Sequence, residues 1–273
     1  MKTLVTIIIL AASLLSASAQ ESTTYKISDF QSINISTVAN VIISQGDYSV
    51  KAKHKLHEGE ELKVEKTDNT LVVKTSNHNK KSKKDGERHL DIFITVPDIN
   101  TLTLSGVCNA TVKNMKTGDL TIKNSGACKM EIENLECSNI NLKTQGATKL
   151  NGRIKSKGHA ELSFQGASKV NLYIQAEGCN IEQSGACEAE TELQANTLAL
   201  NSSGAGIHNM KFKGGECRIK TSGAAKINMV TECEFLECKQ SGASKIKVSG
   251  TADNTQIKGS GASFVDLSNL NKF

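Results

Sequence analysis

Between residues 101 and 268 apolar and polar positions alternate in short runs, and the runs repeat. Each run turns at the same small corner, Ser or Gln followed by Gly and then Ala (Val107 in the first copy), as in QGASKVNL at 165–172 and QSGASKIKV at 240–248. The corner glycines are Gly106, Gly126, Gly146, Gly166, Gly185, Gly204, Gly223, Gly242 and Gly261, spaced by 20, 20, 20 and then 19 five times. Four positions before them stand Leu102, Ile122, Leu142, Leu162, Ile181, Leu200, Ile219, Cys238 and Ile257. Four positions after them stand Ala110, Met130, Leu150, Val170, Ala189, His208, Ile227, Ile246 and Val265. A third column, six after the glycine, holds Val112, Ile132, Gly152, Leu172, Thr191, Met210, Met229, Val248 and Leu267. Period-two alternation predicts strands with one face buried and the other in water. The glycine marks the bend between two such strands.

A segment of 19–20 residues that returns to the same phase nine times predicts a stack of coils. The expected fold is all-β: a right-handed parallel β-helix (solenoid) with 19–20-residue coils, each hydrogen-bonded to the next about 4.8 Å away. Eight steps from Gly106 to Gly261 then span about 38 Å. A propeller blade needs roughly twice this period, and leucine-rich repeats carry their own Asn and Leu pattern. The six-residue sub-period of a left-handed hexapeptide solenoid is absent. The corner itself has a steric account. Glycine reaches backbone angles that other residues resist, and Ala and Ser keep the bend narrow. No His or acid repeats in register with the serine, so Ser-Gly here is not a nucleophile elbow.

The chain ahead of the repeats has the same texture with a broken period. INISTVANVIISQGD (33–47) reads as a degenerate corner, with Thr37 where glycine would stand. LKVEKTDNTLVVKTS (62–76) reads as a hairpin or strand pair, and HLDIFITVP (89–97) as a strand that Pro97 ends. NHNKKSKKDGER (77–88) reads as a solvated basic loop, with an anion-binding patch as the alternative. The first residues, with Lys2, an apolar run from Leu4 to Leu15 and the small triplet Ala17-Ser18-Ala19, predict a cleaved secretory signal over 1–19. That leaves one β-helix domain over 20–273. Residues 20–104 form irregular coils and a cap, 105–268 the nine corner coils, and 269–273 a C-terminal tail. The stretch FVDLSNLNKF (264–273) is expected to cover the far end, because an open solenoid end invites edge-to-edge pairing. Export places the protein in the periplasm, at the outer surface or outside the cell.

Composition narrows the chemistry. The net charge of +5 becomes +4 without Lys2, too mild an excess to imply nucleic acid. Aromatic residues are only 4% and there is no Trp, so sugar-stacking platforms are scarce. Asp119, Asp253 and Asp266 are the only aspartates in the nine coils and lie in different phases, which is poor material for paired-carboxylate catalysis. Glu188, Glu190 and Glu192 project from one coil and are read as decoration of a solvent face, with cation binding as the alternative. His54 and His57 lack an obvious third ligand, and His208 falls on an inward column as a core histidine. No metal, cofactor or catalytic residue is called for. Most of the eight Cys occupy core phases, where Cys acts as a small hydrophobe. Only Cys108 and Cys128 share a phase on adjacent coils and come within disulfide range. The outward feature is charge. Lys123, Lys143, Lys220, Lys239 and Lys258 stand three before the glycine, and Lys129, Lys149, Lys169, Lys226 and Lys245 three after it. Together they predict a basic ridge interrupted by Glu182 and Glu188, either ordinary surface charge or a contact for an anionic surface polymer.

The combination of an N-terminal signal, FQSINIS, VIISQGD, LKVEKTDNTLVVKT, ITVPDINTLTLSGV and serial SGA corners resembles the putative auto-transporter adhesin head GIN domain family over about residues 25–268. That resemblance implies a β-helix found mainly in secreted or envelope proteins of Bacteroidetes-type bacteria, and an adhesive role. This chain departs from an auto-transporter in having no C-terminal stretch long enough for a membrane barrel. The expectation is a non-catalytic envelope or surface binding module, with no transmembrane segment in the mature chain. Its partner would be an anionic surface polysaccharide or another envelope protein. An assembly protein stacking through its β-helix ends is the alternative, and a glycan-active enzyme the third.

Overall fold

The computed structural model describes residues 21–77 and 87–272. The expected signal segment and most of the basic loop at 77–88 lie outside the described residues. The rest is a parallel β-solenoid of about nine turns without helices. Ahead of the repeats come β1 (Glu21–Tyr25), β2 (Ser32–Ser36), β3 (Ala39–Gln45), β4 (Ser49–Lys55), β5 (Glu60–Thr67), β6 (Thr70–Asn77) and β7 (His89–Val96). The first corner coil is β8 (Thr101–Gly106), β9 (Cys108–Lys113) and the short β10 (Met115–Lys116). The coils that follow are β11 (Leu120–Cys137), β12 (Ile140–Ser156), β13 (His159–Ser202), β14 (Ile207–Thr221), β15 (Lys226–Gln240), β16 (Lys245–Gly259) and β17 (Phe264–Asn271).

The register is the repeat made physical. Gly126 lies opposite Gly146, and Gly146 opposite Gly166, with Leu142 beside Ile122 and Leu162. From β13 onward the step is 19, as in Met210 opposite Met229 and Ile227 opposite Ile246. One extra residue in β11 is absorbed by a bulge between Ile132 and Leu135. The three apolar columns form one continuous core, in which Leu102, Leu142, Leu150, Ile227 and Val248 are each at most 1% exposed. The interior of the corner is different. Two before the glycine stand buried Asn124, Thr144, Gln183, Ser202, Thr221 and Gln240; two after it stand buried Cys108, Cys128, Thr148, Ser168, Cys187 and Ser244. Some of these groups bond across the bend, as Thr221 Oγ1 does with Ser244 Oγ at 2.8 Å, whereas the side chain of Asn124 and the hydroxyl of Thr148 find no partner among the described residues.

The front of the chain does not stack in chain order. β2 lies between β6 and β8, and β3 between β7 and β9, all parallel. The 32–45 coil is therefore an interior rung with neighbours on both sides, which is why Ile33, Ile35, Val41 and Ile43 are buried. Thr37 does sit under the corner, its carbonyl against Gly106. The 62–76 segment is an antiparallel hairpin, β5 with β6, turning at Asp68 with φ of 53°. Antiparallel β4 on β7 and β1 on β4 finish the same end. Reversing strand direction there presents a hairpin rim instead of a naked parallel rung.

The other end departs from expectation. Residues 264–271 form a last rung paired only with β16, not a lid over it. A rung is buried by the neighbours on its two sides, and this one has a single neighbour. Ile257, in a column otherwise at most 2% exposed, is 39% exposed, and Phe264 is 56% exposed.

Candidate binding faces beside the glycine corner

The glycine column explains how the corner is held. A Cβ on Gly146 would sit 2.6 Å from the carbonyl oxygen of Gly126, and one on Gly166 2.6 Å from that of Gly146. Successive backbones meet closely at the bend, and φ at Gly106, Gly126, Gly146 and Gly166 is about +100°, outside the range of L side chains. Ala127, Ala147, Ala167, Ala186 and Ala205 follow the glycines and form the floor of a shallow groove of about 680 Å³.

All ten ridge lysines are exposed. The structure divides them into two blocks. In the first, Lys129, Lys149 and Lys169 stand in register beside the alanine floor, and Lys123 and Lys143 in register on the strand before the corner. In the second, Lys220, Lys239 and Lys258 face Lys226 and Lys245 across the later corners. Ser163, Glu182 and Asn201 break one column, and Glu188 and Ile207 the other. Lys169 is tied to Glu188 at 3.1 Å, Lys239 to Glu237 at 2.7 Å, and Lys245 lies 5.8 Å from the Phe264 ring. Lys123, Lys129, Lys143 and Lys149 have no ion-pair partner among the described residues. The first block begins where an amide ladder ends: Asn109 donates to Asn40, and Asn40 to Asp91.

The three glutamates of one coil separate in role. Glu188 pairs with Lys169, and Glu192 with Lys211 at 3.9 Å. Glu190 stands between them, flanked by Asn209 on the next coil.

All eight cysteines are buried and free in this structure. Burial pushes the Cys187 thiol up to about 11 and the Cys238 thiol to about 12, so neither is a nucleophile near neutral pH. Cys108 and Cys128 meet on adjacent coils. The Cys108 thiol donates to the Thr37 carbonyl at 3.2 Å and the Cys128 thiol to that of Gly106 at 3.7 Å, and the proximity of the two thiols together with burial holds Cys108 protonated. His208 is 1% exposed, with Nε2 3.4 Å from Gln183 Oε1, and burial lowers its pKa to about 4. The histidine in the core is therefore neutral.

Residues 29–206 and 191–272 match the description of one protein family, which together is nearly the whole of the described chain. The chain belongs to the putative auto-transporter adhesin, head GIN domain family. Solved structures carry the same fold. A head GIN domain of this kind is similar to a putative adhesin from Bacteroides fragilis, with 21% identity, a TM-score of 0.55, and 85% of this chain and 98% of that one covered. A putative adhesin from Parabacteroides distasonis superposes with a TM-score of 0.62 at 14% identity, over 84% and 97% of the two chains. A protein from the same organism described as a putative lipid binding protein gives a TM-score of 0.56 at 16% identity, over 93% and 96%. No curated protein matches this head GIN domain. Among its described residues, no helix is long and apolar enough to cross a membrane.

Proposed function

We propose that this chain is an exported, non-catalytic, adhesin-like binding module. In this reading it holds an anionic surface polymer, such as an acidic polysaccharide, across the lysines beside the glycine corner. The observation that carries this is the first block: Lys129, Lys149 and Lys169 in register beside an alanine floor, with Lys123 and Lys143 in register on the strand before the corner. Like charges on neighbouring strands repel, and a parallel sheet holds them about 4.8 Å apart. Four of the five have no acidic partner among the described residues. A polyanion lying along the floor relieves that repulsion at every rung. The family's adhesin description, the apolar N-terminal segment and the small-residue site at 17–19 support an exported role.

The test is retention on an immobilised acidic polysaccharide. Lys123→Glu, Lys129→Glu, Lys143→Glu and Lys149→Glu together are expected to abolish salt-sensitive retention without shifting the thermal midpoint. Unchanged retention in a folded variant sinks the reading. A second reading, end-to-end assembly, is favoured by the open last rung with Ile257 and Phe264 exposed. Sedimentation distinguishes it, since assembly lengthens the particle with concentration.

A further inference from the structure

A second groove, of about 620 Å³, runs along the flat face that follows the corner. Its floor is the column five after the glycine, where Asn171, Glu190, Asn209 and Asn228 are its short polar members. Asn209 lies opposite Glu190, and Asn228 opposite Asn209. The contacts Lys169–Glu188 and Gln175–Gln194, each 19 residues apart, set Asn171 on the near side of Glu190. One wall carries Arg153, Tyr173, Lys211 and Val230.

The polar groups are held but not saturated. Asn228 donates to Asn209 Oδ1 at 2.8 Å, which leaves the Asn209 NH₂ without a partner among the described residues. Gln175 donates to the Tyr173 hydroxyl at 2.9 Å, which leaves that hydroxyl free to donate in turn. The Arg153 guanidinium lies 5.7 Å from the Tyr173 ring centroid and fixes the ring against the wall. Glu188 and Glu192 are neutralised by Lys169 and Lys211, while Glu190 has no cationic partner among the described residues. Val230, 52% exposed, adds an apolar contact.

We propose that this groove binds a neutral, hydroxyl-rich saccharide. Glu190 accepts two hydroxyls of a vicinal diol. The amides of Asn171 and Asn209 bracket it as donors and acceptors, Tyr173 packs on the apolar face of the sugar ring at Glu190, and Val230, two coils beyond Glu192, meets a later unit of the oligosaccharide. Charge excludes other ligands: Arg153, Lys211 and Lys247 nearly balance Glu190 and Glu192 along the lining, so neither a polyanion nor a polycation is drawn in. The site is separate from the lysine blocks and requires no anionic ligand.

The experiment is an array of neutral oligosaccharides (glucan, galactan and mannan fragments), followed by calorimetry on the full described chain. Variants are Glu190→Gln, Tyr173→Ala and the quadruple lysine-to-glutamate reversal of the first block. The expected result is binding that survives about 0.5 M NaCl and the lysine reversal. Either groove substitution should weaken it by roughly tenfold or more. Each variant's thermal midpoint is measured alongside; Glu190 is exposed and Tyr173 half-buried, and both side chains lie outside the core. The proposal is overturned if no neutral saccharide binds, if the groove substitutions leave affinity unchanged, or if binding disappears with the lysine reversal. Neutral-glycan binding that persists while acidic-polymer retention fails supports this groove and refutes the lysine reading alone.

Discussion

At Gly146 the side chain is a single hydrogen because two constraints coincide. Its φ is +102°, and a Cβ would lie 2.6 Å from Gly126 O. Relieving either would part the two coils at the bend. Gly146→Ala is therefore expected to cost about 2 kcal/mol or more. Gly118, with open space around its Cβ position and no such φ, serves as the control. Gly118→Ala should stay within about 0.5 kcal/mol. Urea midpoints of the two variants decide it; equal values would show that the corner tolerates a methyl. His208 gives a pH dependence with a definite sign. Its pKa falls from 6.5 in the unfolded chain to about 4 in the core, because burial disfavours the charged ring. Between those values the unfolded chain holds a proton that the native chain does not, so stability falls as pH drops through this window. The loss from pH 7 to pH 5 is about 2 kcal/mol. His208→Gln should flatten that part of the urea-midpoint profile, whereas an unchanged slope would assign it to other groups.

Individual strands differ in how well they are held. β12 and β13 are flanked on both sides, while β17 and residues 253–259 of β16 lie at an open end. Hydrogen exchange should report this directly. Amides of β12 and β13 are expected to exchange only on global opening, and those of 264–271 by local fraying, orders of magnitude faster. Uniform protection would mean that something covers the last rung in solution. β2 and β3 should behave like interior strands although they lie near the start of the chain. The repeat was legible in the sequence because every coil reuses the same positions: Leu142 and Leu162 announce their pairing by a 20-residue step. β2 meets β8 across a separation of 69 residues, Ser32 to Thr101, which belongs to no repeat. Nothing in the local pattern marks that insertion. The exposure of Ile257 was equally hidden, since it depends on a missing neighbour and the residue itself obeys the column. The lysine columns could be read from spacing alone, but not their division by the Lys169–Glu188 pair. The groove at Tyr173 and Glu190 left a faint trace in the Asn151, Asn171, Asn209 and Asn228 column. A lone aromatic in one outward phase does not repeat, so periodicity did not single it out.

For the whole molecule, rigidity turns separate patches into one surface. The sheet fixes Lys169, at the end of the first block, and Lys226, at the start of the second, three coils apart, about 14 Å along the axis. The coils between them carry Glu182, Glu188 and Ile207 in place of lysine, and the neutral groove runs beside this gap. A polymer engaging both blocks binds the second at high effective concentration, because the scaffold holds the two sites at a constant distance. Affinity should therefore depend on ligand length in a step. Acidic oligosaccharides too short to cover about 14 Å are expected to occupy each block independently and weakly. Those that reach across should compete for an immobilised acidic polymer roughly a hundredfold better. Reversing Lys220, Lys226, Lys239 and Lys245 to Glu should remove the step while leaving short-fragment binding at the first block. Competition with size-fractionated fragments measures both effects. A smooth rise with length that is the same in the parent chain and the rear-block variant would show that the lysines act as diffuse surface charge, and that the spacing built by the coils plays no part in binding.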